Sequence, residues 1–158
     1  MIRYIEFGIS HQEVPGEAAI CIYISGCQND CENCHYPELK NPHEGLLLSD
    51  HYADILDLYC QQASCVYFMG EGDGSEESRK ELMECARMAK DRNLRSCLYC
   101  GRDVDPEDWM KVFDYVKTGS FMEGLGDIYS KTTNQRFYKR VGSDFMDVTH
   151  LFWNLTDG

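Results

Sequence analysis

The chain has 158 residues, a length expected to fold as one domain and to bury about 70% of the surface an unfolded chain exposes. Its 27 Asp and Glu against 15 Lys and Arg leave a net charge of -12, a field that repels phosphate backbones and anionic lipid, so no nucleic-acid module is expected. Nine cysteines, an odd number, with no signal-like leader and no run near the roughly 20 apolar residues of a membrane span, point to the reducing cytoplasm rather than to a secreted disulfide framework.

Taken in order, residues 2–7 alternate apolar and polar side chains and predict a first strand, with a polar loop at 8–16. Residues 17–25 carry the apolar run Ala18-Ala19-Ile20-Cys21-Ile22-Tyr23-Ile24, a buried strand that Ser25-Gly26 ends. The next stretch, Cys27-Gln28-Asn29-Asp30-Cys31-Glu32-Asn33-Cys34-His35, sets three thiols on a polar loop. That loop lies at a strand's C-terminal end, where α/β folds hold their ligands. One helical turn is predicted at 36–39, broken by Asn41-Pro42. Ser49-Asp50 opens an amphipathic helix to about residue 62, with Ala53, Leu56, Leu58, Tyr59 and Cys60 facing inward. Residues 65–69 form a second buried strand ending in glycines.

Ser75-Glu76-Glu77-Ser78 starts a helix to about residue 92, with Leu82, Cys85, Ala86 and Ala89 on its apolar side. Residues 94–100 are a third strand. Asp105-Pro106 opens a further helix in which Trp109 packs inward. Residues 113–117 are a fourth strand, with Lys117-Thr118-Gly119 at the same edge as the thiol loop. A glycine-containing loop spans 119–131, and 136–141 and 145–153 are predicted as a closing pair of strands. Strands alternating with helices predict a parallel α/β sheet. A full eightfold barrel needs about 250 residues, so an incomplete, laterally open barrel is the expected form.

Three thiolates can bind an iron–sulfur cluster through three irons and leave the fourth iron open, whereas clusters that only carry electrons usually take four cysteines. The C-x3-C-x2-C spacing matches neither common ferredoxin pattern nor the C-x2-C pairs of zinc modules, although thiolates also suit zinc. Cys97 and Cys100 form a C-x2-C pair, but residues three apart on a strand point to opposite faces. Cys97 is therefore expected in the core, with Tyr99 or Cys100 toward a ligand and Arg102 within reach of a carboxylate. The segment Gly70-Glu71-Gly72-Asp73-Gly74 suits either a tight turn or close backbone approach to a ligand. Lacking a following Gly-Lys-Ser/Thr, it is not a P-loop. The histidines at 11, 43, 51 and 150 show no ligand spacing with one another.

The spacing of Cys27, Cys31 and Cys34, after a strand and near the N-terminus, resembles the cluster loop of radical S-adenosylmethionine (SAM) enzymes. The wider context "GCQNDCENCHYPEL", with "YFMGEGDG", "YCGR" and "TTNQRFY", resembles the activating enzymes of anaerobic (glycyl-radical) ribonucleotide reductase, from about Met1 to about Thr149. The resemblance implies an α/β fold, an incomplete, laterally open (β/α) barrel in a single domain. It implies a [4Fe-4S] cluster on Cys27, Cys31 and Cys34 that cleaves bound SAM to methionine and a 5′-deoxyadenosyl radical. Asn33 and His35 would line the adenine; family members often carry an aromatic where Asn33 stands. The glycine turn would bind the SAM ammonium, through Glu71 or Asp73. Tyr99, Cys100 and Arg102 would border the ligand, and Thr132-Thr133-Asn134-Gln135-Arg136 would bind partner backbone or pin the C-terminal strands. The implied protein substrate is the reductase large subunit, and the implied electron donor a flavodoxin- or ferredoxin-type protein. Radical SAM chemistry on another glycyl-radical enzyme or a small molecule, and a non-catalytic zinc or iron–sulfur module, stay open as alternatives.

Overall fold

The structure, a computed structural model, describes residues 1–25, 45–120, 122 and 124–156, with side chains through residue 153. Eight strands run in chain order as β1 (Arg3–Ser10), β2 (Ala19–Ile24), β3 (Leu46–Leu47), β4 (Cys65–Met69), β5 (Arg95–Cys100), β6 (Tyr115–Thr118), β7 (Arg136–Val141) and β8 (Asp144–Asp147). The helices are α1 (Leu48–Tyr59), α2 (Glu76–Asp91) and α3 (His150–Thr156), with a 3-10 turn at Asp108–Val112. All eight strands form one sheet in the order β3-β1-β2-β4-β5-β6-β7-β8.

Only the middle is parallel: β2, β4, β5 and β6 run the same way. β1 and β3 on one side and β7 and β8 on the other are antiparallel. This corrects the expected α/β fold, an incomplete (β/α) barrel. Among the described residues the chain is an eight-stranded mixed sheet with three short helices, dominated by sheet rather than rich in helix. The cause is local. Antiparallel neighbours need no helical crossover; β7 and β8 are joined by only Gly142-Ser143, and β1 and β2 by an irregular loop. Alternation therefore holds only through the central strands.

The pleat gives the sheet two apolar faces. On one, Ile20, Ile22, Val66, Phe68, Leu98 and Val116 pack under α1 and α2. On the other, Cys21, Cys65, Tyr67, Cys97, Tyr115 and Phe137 pack under Val14, Ile128, Val148 and Phe152, which come from loops and α3. Cys85 and Cys97 are buried as expected. In α1 the buried residues are Leu48, Tyr52, Ile55 and Leu56, while Leu58 is exposed. The apolar stripe is thus phased from Leu48, and Leu58 falls off it.

Two further expectations change. The helix predicted from Asp105 forms only the 3-10 turn, though Trp109 does pack edge-on to Phe113, 6.2 Å between centroids. The strand predicted over 145–153 stops at Asp147, whose carboxylate accepts from Thr149 N and Thr149 Oγ1 at 3.0 and 2.6 Å. That turn redirects the chain into α3, because a short acidic side chain bonding the backbone two residues on competes with the strand ladder. No helix among the described residues is long and apolar enough to cross a membrane.

Candidate functional site

Parallel strands bring their C-terminal ends to one edge of the sheet. Across that edge Tyr23, Met69, Tyr99 and Lys117 stand in register on β2, β4, β5 and β6. One row lower are Cys21, Tyr67, Cys97 and Tyr115. Both rows lie on the face opposite α1 and α2.

The first strand end leads into the thiol loop. Cys27, Cys31, Cys34, Asn33 and His35 lie outside the described residues. Ser25, the last described residue before them, is fixed to β1: its N–H and its hydroxyl both donate to Arg3 O, at 2.9 and 3.0 Å.

The second strand end is the glycine turn. Gly70 has φ +134°, and a Cβ there would lie 3.3 Å from Ile24 Cβ, so β4 leaves the sheet in close contact with the end of β2. Gly72 has φ +68°, and a Cβ there would meet Ile2 Cδ1 at 2.7 Å. Both conformations favour glycine. The two carboxylates of the turn have separate partners. Glu71, 11% exposed in its side chain, accepts from Arg102 Nη2 at 2.8 Å and Arg102 Nε at 3.0 Å. Asp73 accepts from Ser75 N at 2.9 Å and Ser78 Oγ at 2.7 Å, and these bonds hold its carboxyl down at about 2. Asp73 thereby fixes the first turn of α2, where Ser75 is the N-cap and accepts from Ser78 N.

The third strand end carries Tyr99, Cys100 and Arg102. Tyr99 and Cys100 face opposite sides, as the pleat requires: Tyr99 is on the loop-covered face and Cys100 in the helix-covered core. Burial, with the nearby Glu71 carboxylate, pushes the Cys100 thiol up to about 12. The Tyr99 hydroxyl donates to Gly119 O at 3.0 Å and accepts from Gln135 Nε2 at 3.2 Å. Arg102 joins Glu71 to Glu107, which accepts from Arg102 Nη2 at 2.7 Å and Trp109 Nε1 at 2.9 Å. Its bonds from Arg102 hold the Glu107 carboxyl down at about 2.

The fourth strand end holds Lys117, which sequence patterning places at this edge without giving its ammonium a role. Lys117 is 9% exposed, and among the described residues its ammonium has no hydrogen-bond or ion-pair partner. It lies 5.0 Å from the centre of the Tyr99 ring, a cation–π contact. Burial lowers its pKa, while Glu13 and Asp127 act on it from farther away. On the same face, one row down, the fully buried Tyr67 hydroxyl also lacks a partner among the described residues. The available signal was a lysine inside the otherwise uncharged strand Tyr-Val-Lys-Thr.

The segment at 132–136 ties the site together. Asn134 Nδ2 donates to Asp103 Oδ1 at 2.8 Å and Ser120 O at 2.9 Å, and Gln135 Nε2 to Gly119 O at 3.2 Å. Thr133 Oγ1 accepts from Gln135 N, and Arg136 pairs with Asp147. Of its two expected roles, pinning the C-terminal strands is the one these bonds perform.

Fit to a thiolate-bound cluster depends on which thiols are available. Burial pushes the Cys21 and Cys85 thiols up to about 12, and those of Cys65 and Cys97 well above their ordinary value. These four are protonated packing residues. Among the described residues no group of three His, Cys, Asp or Glu side chains is placed to hold a metal. The three thiols Cys27, Cys31 and Cys34 lie outside the described residues; as residue types they are a donor set of the kind that suits iron. Comparison of the chain with protein-family models, with curated proteins and with solved structures finds no match.

Proposed function

We propose that this chain is a radical SAM activase that generates a glycyl radical on the large subunit of an anaerobic ribonucleotide reductase. One observation carries it beyond the motif: Lys117, a buried ammonium with no counter-ion among the described residues, stands at the sheet edge where β2 ends, with two residues between that end and Cys27 in the sequence. A buried charge left unpaired costs several kcal/mol, roughly, and persists where an anion completes it. SAM brings a carboxylate, a sulfonium and an ammonium in one molecule.

Cys27, Cys31 and Cys34 would hold a [4Fe-4S] cluster, whose electron, once supplied, breaks the SAM sulfonium bond to give methionine and the 5′-deoxyadenosyl radical. Lys117 and the Tyr67 hydroxyl would receive the SAM carboxylate. The turn at Gly70, Glu71 and Gly72 would offer backbone carbonyls to the ammonium, its side-chain carboxylates being bonded to Arg102 and to the start of α2. Asn33 and His35 would flank the adenine, and Tyr99 would orient Lys117. The substrate glycine belongs to the partner protein, and a flavodoxin- or ferredoxin-type donor supplies electrons. Six described cysteines are free thiols, which suits the reducing cytoplasm.

The test is anaerobic reconstitution of the wild type and of Cys27→Ala, Cys31→Ala and Cys34→Ala. The wild type should bind about four irons and form 5′-deoxyadenosine when reduced with SAM. Each variant should lose that product. Full product from any folded variant would remove the loop from the cluster and end the proposal.

A further inference from the structure

On the helix side of the sheet, beyond the packed Val116, the end of β6 at Thr118 and the start of β7 at Arg136 and Tyr138 line an open groove. The groove, of about 580 Å³, lies between the loop after β5 and the start of β7, lined by Asp103, Val104, Asp105, Met122, Arg136 and Tyr138 among others. That volume lies within the range of ordinary ligand sites. Its polar wall is rich in acceptors. Asp103 is exposed, and its carboxylate is bonded by Asn134 Nδ2 and by Ser120 N and Oγ, neutral donors that leave its charge uncancelled. Asp105 is exposed and has no hydrogen-bond or ion-pair partner among the described residues. Asn134 Oδ1 has no donor among the described residues either. The one cation of the lining, Arg136, is spent on Asp147, with Nη2 2.8 Å from Oδ2. An apolar shoulder flanks this wall: Met122 is 45% exposed.

The geometry points to this groove as the docking site for a basic segment of the protein partner, a lysine or arginine seated against Asp103 and Asp105 with an apolar neighbour on Met122. Charge complementarity selects that occupant. The groove's own net charge is negative, and the chain's -12 would steer a cationic surface toward it. A second copy of this chain carries the same excess of acid and would be repelled. That the partner is the reductase large subunit rests on the function proposed above.

The experiment uses the full, cluster-loaded chain and the purified large subunit, with affinity read by biolayer interferometry at low and high salt. Asp105→Lys should weaken binding at least tenfold at low salt and flatten its salt dependence. Asp54→Lys, on the exposed side of α1, changes net charge equally and should weaken binding less than twofold. Both should form 5′-deoxyadenosine as the wild type does in the partner's absence. Equal losses in the two variants would show that only the overall field matters, and would overturn the groove. So would unchanged binding by Asp105→Lys, or no binding of the large subunit by the wild type. If instead the wild type binds the subunit through Asp105 but never cleaves SAM, the groove stands and the activity falls.

Discussion

Lys117 is the residue on which site and stability pull apart. Its ammonium is buried beside the Tyr99 ring with no counter-ion among the described residues, so it costs stability until an anion arrives. Lys117→Met keeps the volume and removes the charge. It should raise the stability of the ligand-free protein by about 1 kcal/mol or more, while weakening SAM binding at least tenfold. The sign with pH is definite. Burial lowers the folded pKa below the ordinary lysine value of 10.5, so the penalty is full below the folded pKa and is relieved as pH rises through it toward 10.5. The methionine variant should lose that alkaline rise in a pH series of denaturant midpoints. Lower ligand-free stability with unchanged SAM affinity would contradict this role. Arg102 acts oppositely. Arg102→Ala strands the Glu71 carboxylate, 11% exposed, and should cost about 2 kcal/mol, less than a fully buried pair because Arg102 itself is 34% exposed.

Among the elements, the β4–turn–α2–β5 unit was the most legible. A five-residue apolar strand, alternate glycines and a Ser-Glu-Glu helix start are each local signals, and β4 falls on Cys65–Met69 as predicted. What sequence could not settle was the division of labour between Glu71 and Asp73, because their partners are remote or conformational: Arg102 lies 31 residues away, and the Asp73 bonds require the turn already formed. Ser75→Ala should cost about 1 kcal/mol of stability, read from urea unfolding, and leave iron content intact. Asp73 adds a pH signature. Its stabilisation is present above the ordinary aspartate value of 3.8 and is lost as pH falls through about 2. Asp73→Asn should flatten acid unfolding across that window, and an unchanged acid limb would show that the cap is not formed. The C-terminal element was missed for the converse reason. Phe145 and Met146 look like strand residues, and the Asp147–Thr149 bonds that end the strand were read as part of it.

At the scale of the molecule, periodicity located the central strands but could not reveal their directions. The antiparallel edges depend on long-range pairings such as Tyr4 with Ile24 and Val116 with Tyr138, which no local pattern encodes. The consequence, among the described residues, is an eight-stranded mixed sheet whose parallel centre gathers the glycine turn, Tyr99 and Lys117 at one edge by connectivity and register. The measurement that tests the proposed activity most directly is electron paramagnetic resonance of the anaerobically reconstituted, reduced protein mixed with SAM and the reductase large subunit. A glycyl doublet on the large subunit, with 5′-deoxyadenosine formed alongside it and both lost in Cys31→Ala, is the predicted result. A cluster-loaded sample that binds the large subunit and yields neither doublet nor nucleoside would contradict it.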